Sequence, residues 1–247
     1  RLRELLDIPV FHDDQHGTAI VVLAALKNAL RVVGKEIDTV RIAMSGAGAA
    51  GTAILKLLLH AGAKDVVVCD IRGAVHRGRD DLDPNLEWIA AHTNPSGYVG
   101  DLAGAVRGAD VFIGVSAPNV LSGGDVAEMN EDAIIFALAN PEPEIDPEIA
   151  ALHAAVVATG RSDYPNQINN VLVFPGFFRG LLDAQSHRVT SDMMLAAADA
   201  LASVVTAEEL SPHYIIPSVF HHGLSQRVAE AVREVALRDG HAGVREA

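Results

Sequence analysis

Residues 39 to 62, TVRIAMSGAGAAGTAILKLLLHAG, constrain this chain more than any other stretch. A short β-branched run, Thr39 to Met44, leads into Gly46-x-Gly48-x-x-Gly51, and the glycines open an apolar helix that stops at Gly62. Such glycine spacing is weak alone, but between a strand and a helix it has a mechanism. The first glycine permits a tight turn, the second lets backbone approach a pyrophosphate, and the third lets helix and strand pack closely. The helix start offers free N–H groups and a partial positive charge to phosphates. The segment therefore predicts the first turn of a doubly wound, mostly parallel, Rossmann-like sheet in the α/β class. It also predicts a dinucleotide on Gly46, Ala47, Gly48, Ala49, Ala50 and Gly51, the alternative being a helix–strand contact with no ligand.

The next strand, DVVVCD, ends at Asp70. That is about 20 residues past the glycines, where an acidic side chain accepts hydrogen bonds from an adenosine ribose. A carboxylate there repels a 2′-phosphate, which predicts NAD over NADP. Arg72 opposes this, because a nearby arginine can accommodate that phosphate. Further apolar strand runs follow at 110–116, 133–140 and 154–160. Asp83-Pro84 has the form of an N-cap and first-turn proline before a helix through Trp88 to His92. Continuous apolar strands that alternate with helices belong to a parallel sheet covered on both faces. At the carboxyl edge of such a sheet, Ser116 and Ala117 either line a nicotinamide ribose or form an ordinary strand-end turn.

After Val171 the pattern turns helical, in 172–185, 191–205 with Ser191 as cap, and 225–240. Three parts follow: 1–34, a helical lead-in with a helix at 17–34; 35–170, an NAD-binding Rossmann-like domain; and 171–247, helices that pack with the first one beside the sheet. Residues 239–247 are expected to fray.

Composition excludes several classes. The 247 residues carry 19 Lys and Arg against 32 Asp and Glu, a formal charge of −13, which disfavours nucleic acid as a partner. No apolar run reads as long enough to span a bilayer, and the first residues show no secretory pattern. The lone Cys69 rules out a disulfide framework and fits a reducing cytoplasm.

FHDDQHGTA, residues 11 to 19, sets two adjacent carboxylates, Asp13 and Asp14, between His12 and His16. Charge complementing the following helix accounts for one aspartate, not for two. A hard cation such as Mg²⁺ or Mn²⁺ wants carboxylate oxygen, so one aspartate can bind metal while its neighbour orients a base. The histidines lack a third zinc partner and are taken as loop or supporting residues. Asn140, Asn169 and Asn170 stand after strands; their amides suit a small hydroxy-dicarboxylate, or else cap turns locally.

Taken together, IPVFHDDQHGTA, GAGAAG, FALANPEPEI and GRSDYPNQINNVLVFPG resemble the malic enzymes, especially the shorter bacterial type, from Arg1 to the last long helix. The resemblance implies oxidative decarboxylation of malate to pyruvate and CO₂ with NAD(P) and Mg²⁺ or Mn²⁺, this chain being the cofactor-binding portion. It implies Asp14 as a metal ligand and Asp13 beside it as the partner of a catalytic lysine. It implies Asn140 and Asn170, with Asn169 next to them, as substrate contacts, Asn140 also meeting the cofactor. Gly46 to Gly51 and Asp70 match the family's cofactor loop, and Ser116, from its place at the strand end, is taken with them as a cofactor contact. The family's lysine base, tyrosine acid and adjacent Glu-Asp metal ligands lie upstream of FHDDQHGTA, and Tyr98, Tyr164 and Tyr214 do not occupy the matching place. The 247 residues alone are therefore expected not to turn over malate, and the full-length protein to be a homodimer or larger. A malolactic enzyme yielding lactate and a non-catalytic dinucleotide-binding module are the alternatives. His221-His222 fits no part of this pattern.

Overall fold

The computed structural model describes residues 5–241 and 243. The β-branched and apolar runs form β1 (Arg41–Ser45), β2 (Asp65–Asp70), β4 (Val111–Gly114), β5 (Ile134–Ala137) and β6 (Val156–Thr159), with a two-residue β3 (Gly73–Ala74) between β2 and β4. They make one six-stranded sheet in the order β3-β2-β1-β4-β5-β6. β1 pairs in parallel with both β2 and β4, Ile42 lying beside Val66 and Val111. The connections run outward from β1 in one direction and then return to its other side. This creates a switch point at the carboxyl ends of β1 and β4, where open α/β sheets hold ligands.

β3 is absent from the sequence expectation. It is antiparallel to β2, with Asp70 opposite Gly73, so Ile71 and Arg72 form a tight hairpin tip. Two residues carry no readable period, and the pairing is dictated by the turn.

Alternate side chains leave opposite faces of the strands, and both faces are covered. Ile42, Met44, Val66, Val68, Val111 and Ile113 join a large cluster with α1 (Thr18–Val33), α2 (Ala49–His60) and the C-terminal helices. Ala43, Phe112, Ile135 and Ala137 face a smaller cluster with Val106, Val126 and Ala150. Those three come from α4 (Leu102–Val106), α5 (Gly123–Ala127) and α6 (Pro147–Ala150). Between β3 and α4 lies α3 (Pro84–His92), capped as expected by Asp83, which accepts from the N–H groups of Asn85 and Leu86.

α1 ends at Gly34 in the left-handed conformation and is preceded by a π-helical turn, Asp13–Gly17. By length and composition alone the 21 residues Asp13–Val33 could cross a bilayer, which corrects the expectation of no such run. Most of that stretch is instead buried inside the protein, with Ile20, Leu23 and Leu26 fully enclosed. Asn28, mid-helix and fully buried, spends its amide on the carbonyls of Ala202 and Ile215, both at 2.9 Å. A buried amide must be paired, and here the pairing staples α1 to the C-terminal part.

That part comprises α7 (Phe174–Asp183), α8 (Ser191–Ala202) and α9 (Leu224–Arg238). α8 is capped by the Thr190 side chain, which accepts from Met193 N–H; Ser191 is the first helical residue rather than the cap. The fraying expected of 239–247 falls largely outside the described residues. α7 and α9 meet along Gly176 and Gly180: a Cβ on Gly180 would lie 2.5 Å from the Ala229 carbonyl oxygen and 2.8 Å from Val232 Cβ. Gly180→Ala is therefore expected to force the helices apart and lower stability by about 1–3 kcal/mol, seen as a lower Tm in thermal unfolding. An unchanged Tm would show that α9 can retreat without cost.

Candidate functional site

The glycine turn has the geometry that its spacing requires. Gly46 adopts φ +112°, and a Cβ there would meet the Val115 carbonyl oxygen at 2.7 Å. A Cβ on Gly51 would come within 2.0 Å of the Gly46 carbonyl oxygen. The first and third glycines are thus demanded by the chain itself. Gly48 is different: a Cβ there would meet nothing within 4 Å. Open space above the middle glycine, at a helix start with no side-chain cap and no acidic residue in its first turn, is a cradle that fits a phosphate group. Asn85, which the sequence pattern did not flag, pins the turn by donating to Ala47 O and Thr52 Oγ1, each at 3.0 Å.

Beside this turn, at the carboxyl ends of β4, β5 and β6, lies a cavity of about 390 Å³. Asp14, Ala50, Ser116, Asn140, Asn169 and Asn170 all line it. Residues up to 156 positions apart in sequence are therefore brought to one cavity (Asn170 against Asp14). Gly46, Gly48 and Asp70 are not among its lining residues.

Asp13 lies behind this wall. Its Oδ2 accepts from Asn170 Nδ2 at 2.9 Å, while Oδ1 is buried with no partner among the described residues. Gly17 permits this arrangement, because a Cβ there would meet Asp13 Oδ1 at 2.7 Å and Asn170 Cβ at 3.0 Å. Asn169 is both lining and cap, its side chain accepting from Val171 N–H at 3.1 Å. A buried carboxylate oxygen without a partner is costly, and it suits a cation or donor brought from beyond the described residues. Among those residues no group of three or more His, Cys, Asp or Glu side chains could hold a metal, so Asp14 can supply one ligand of a hard cation and not the whole set. His16 does not face such a centre with both nitrogens: its Nδ1 accepts from His12 N–H at 2.8 Å, and its ring lies 5.1 Å from that of Phe11.

The largest feature invisible in the sequence pattern is Glu144. It is fully buried. Oε1 accepts from Ser116 N–H at 2.8 Å and Oε2 from Ala139 N–H at 3.0 Å. One carboxylate thus ties the loop after β4 to the loop after β5, and so fixes Ser116 relative to Asn140. Gly114 makes the room, since a Cβ there would come 2.4 Å from Glu144 Cδ. A second tie, Ser45 Oγ to Ser116 Oγ at 2.7 Å, joins the ends of β1 and β4.

Asp70 is not the bare carboxylate that the sequence presents. Arg79 donates from Nη1 to Oδ1 at 2.9 Å and from Nη2 to Oδ2 at 2.8 Å, and Arg72 N–H donates to Oδ1 at 2.8 Å. Arg79 also binds Asp81, whose carboxyl it holds down at about 2. Next to Asp70, burial first and then the Asp70 and Asp101 charges push the Cys69 thiol up to about 12.

Sheet order, glycine turn and lined cavity define the class: a Rossmann-like dinucleotide-binding domain. The family described as malic enzyme, NAD binding domain, matches residues 15–237. The chain is 54 % identical to the NAD-dependent malic enzyme of Geobacillus stearothermophilus over 97 % of its own length and 50 % of that protein. It is 48 % identical to the bifunctional malic/malolactic enzyme of Bacillus subtilis over 99 % of its length and 60 % of that protein. The crystal structure of malic enzyme from Pyrococcus horikoshii superposes with a TM-score of 0.91 at 48 % identity, covering 99 % of this chain and 59 % of that one. NADP-dependent malic enzymes also match, at 44 % identity. The chain belongs to the malic enzyme NAD-binding domain family, and it spans about half the length of the curated relatives it matches.

Two outcomes are expected from this geometry. Glu144→Gln has only one acceptor oxygen, so its amide nitrogen must face the N–H of Ser116 or Ala139. That leaves a buried donor unpaired and costs about 1–3 kcal/mol, measurable as a lower midpoint in urea. Cys69 is the reporter for the second: at pH 8 its thiol stays protonated, and only the thiolate reacts. Iodoacetamide should leave the native protein unmodified and label it once after denaturation; rapid native labelling would contradict the burial.

Proposed function

We propose that this chain is the cofactor-binding part of an enzyme that oxidatively decarboxylates malate to pyruvate and CO₂ with NAD and a divalent metal. The observation that carries this is the single cavity in which Asp14, Ser116, Asn140, Asn169 and Asn170 meet beside the glycine turn. A dinucleotide-binding module without chemistry has no need of that convergence. The lone, buried Cys69 accords with a reducing compartment, and the cytoplasm is the proposed location.

In this proposal the pyrophosphate lies over Gly48 at the start of α2, and Ser116 and Asn140 face the nicotinamide end. Asn140 and Asn170 donate to malate carboxylate oxygens and can accept from its hydroxyl. Asp14 offers one carboxylate to Mg²⁺ or Mn²⁺; such an ion, when bound, polarises a carbonyl and takes up the charge that loss of CO₂ develops. Asp13 holds a proton-carrying group by its unpartnered Oδ1, which the family resemblance identifies with an upstream lysine. Asn170, by its bond to Asp13 Oδ2, keeps that carboxylate turned correctly. The preference for NAD over NADP rests on Asp70 at the end of β2.

A malolactic outcome is the second reading, favoured by the bifunctional relative. The two separate by product. The full-length gene product, given L-malate, Mn²⁺ and NAD, should accumulate reduced nicotinamide, followed by near-ultraviolet absorbance, together with pyruvate. Lactate without free reduced cofactor would place it with the malolactic enzymes, and neither product would leave a binding module. In the active full-length enzyme, Asp14→Asn should weaken Mn²⁺ binding by about 10–100-fold, measured by Mn²⁺ titration. Asp13→Asn should lower kcat by roughly 10²-fold with little change in metal affinity. The 247-residue chain alone should bind NAD without turnover.

A further inference from the structure

We infer that Arg79 sets how strongly this site distinguishes NAD from NADP, by neutralising the carboxylate that faces the adenosine ribose. The inference rests on the proposed role of Asp70.

Arg79 is not a surface arginine that happens to pass an acid. Its side chain is only 8 % exposed. Nη1 and Nη2 grip Asp70 as a fork, while Nε and Nη2 bind the two oxygens of Asp81 at 2.8 and 2.5 Å. Anchored from two sides, the guanidinium cannot swing away when a ligand arrives. Arg72 adds a second cation at the rim, its Nη1 3.1 Å from Asp81 Oδ2 and its side chain 66 % exposed. Two carboxylates and two guanidinium groups cancel, so the ribose end of the site carries no net charge from this cluster.

Two consequences follow. A carboxylate has about four acceptor positions, and three on Asp70 are taken, by Arg72 N–H and the two Arg79 nitrogens. One position remains, on Oδ2, enough for a single ribose hydroxyl. The second consequence is electrostatic. A 2′-phosphate would meet a compensated pair with an exposed guanidinium beside it, rather than a bare anion. Discrimination against NADP should then be modest, about tenfold or less, because one screened charge interaction near the surface is of that size.

Nucleotide affinities of the chain, measured by calorimetry at one ionic strength, test this through the ratio of Kd for NADP to Kd for NAD. Arg79→Gln exposes the charges of Asp70 and Asp81 and should raise the ratio by about tenfold. Arg79→Lys keeps one cation and should hold the ratio within about threefold of the starting value, while both nucleotides bind more weakly as the fork is lost. Asp70→Asn leaves the two arginines opposed by Asp81 alone, a net positive cluster, and should bring the ratio below one. This variant removes a charge without changing shape, so it decides the matter even where Arg79→Gln fails to fold. Arg79→Gln weakening both nucleotides equally, or Asp70→Asn leaving the ratio unchanged, would overturn the inference. Failure of the unaltered chain to bind NAD at all would overturn the cofactor reading, and this inference with it.

Discussion

Everything at the carboxyl edge of the sheet depends on backbone touching backbone at Gly46 and Gly51. Gly46 leaves no room for a Cβ against the Val115 carbonyl, and Gly51 leaves none against the Gly46 carbonyl. These contacts bring the start of α2 onto β1 and press the turn against the chain leaving β4. From there the site is assembled by short ties: Ser45 to Ser116, Ser116 to Glu144, and Glu144 to Ala139, next to Asn140. A parallel device works on the opposite wall, where Gly17 lets Asp13 lie against Asn170. In both places the absent side chain matters because it lets two distant segments share one wall. Core packing alone would bring these segments near; the close approach and the ties give them one relative position.

Two acidic residues at this edge are handled in opposite ways. Glu144 is fully buried, and the hydrogen bonds that hold it come from two backbone N–H groups and, more weakly, the Ser116 hydroxyl. It serves as a connector, and its charge strengthens each bond it accepts. Asp70 is partly exposed, its side chain at 18 %, and is gripped by a guanidinium. Backbone donors suit Glu144 because its two oxygens must reach two different loops. An arginine suits Asp70 because one side stays open to solvent, where a ligand can come. The same functional group is thus a structural strut in one loop and a partly satisfied acceptor in another.

The fold was legible where physical periodicity is strong. Continuous apolar strands, the glycine turn and the Asp83-Pro84 cap each bias local geometry directly, and they appear at the expected places. Part of the lined cavity was legible too, because Ser116 and Asn140 follow strand ends, which a parallel sheet puts on one edge; Asp14 reaches that edge from the turn before α1. The two-residue β3 was not legible, since its pairing comes from a hairpin tip and not from its own residues. The α8 cap was displaced by one residue because Thr190 and Ser191 are both good caps, and only backbone direction chooses between them. Glu144 and Arg79 were missed for a common reason. In sequence they read as charges in polar loops; their roles arise from partners that the fold brings to them across the sheet edge or back along the β2–α3 connection.

Asp70 also shows why a motif reports chemistry incompletely. Glycine spacing and an acid about 20 residues on identify a ribose contact, but the acid's charge belongs to its surroundings as much as to the residue. Repulsion of a 2′-phosphate requires a carboxylate whose field reaches the ligand uncompensated. Here Arg79 is hydrogen-bonded directly to both oxygens of Asp70, and Asp81 keeps it there. The hydrogen-bonding capacity and the field of Asp70 are therefore set by the chain from Arg72 to Asp81, which carries none of the glycine signature. Within one fold and one motif, the field at the end of the second strand can then shift by changing a residue in the loop that follows it.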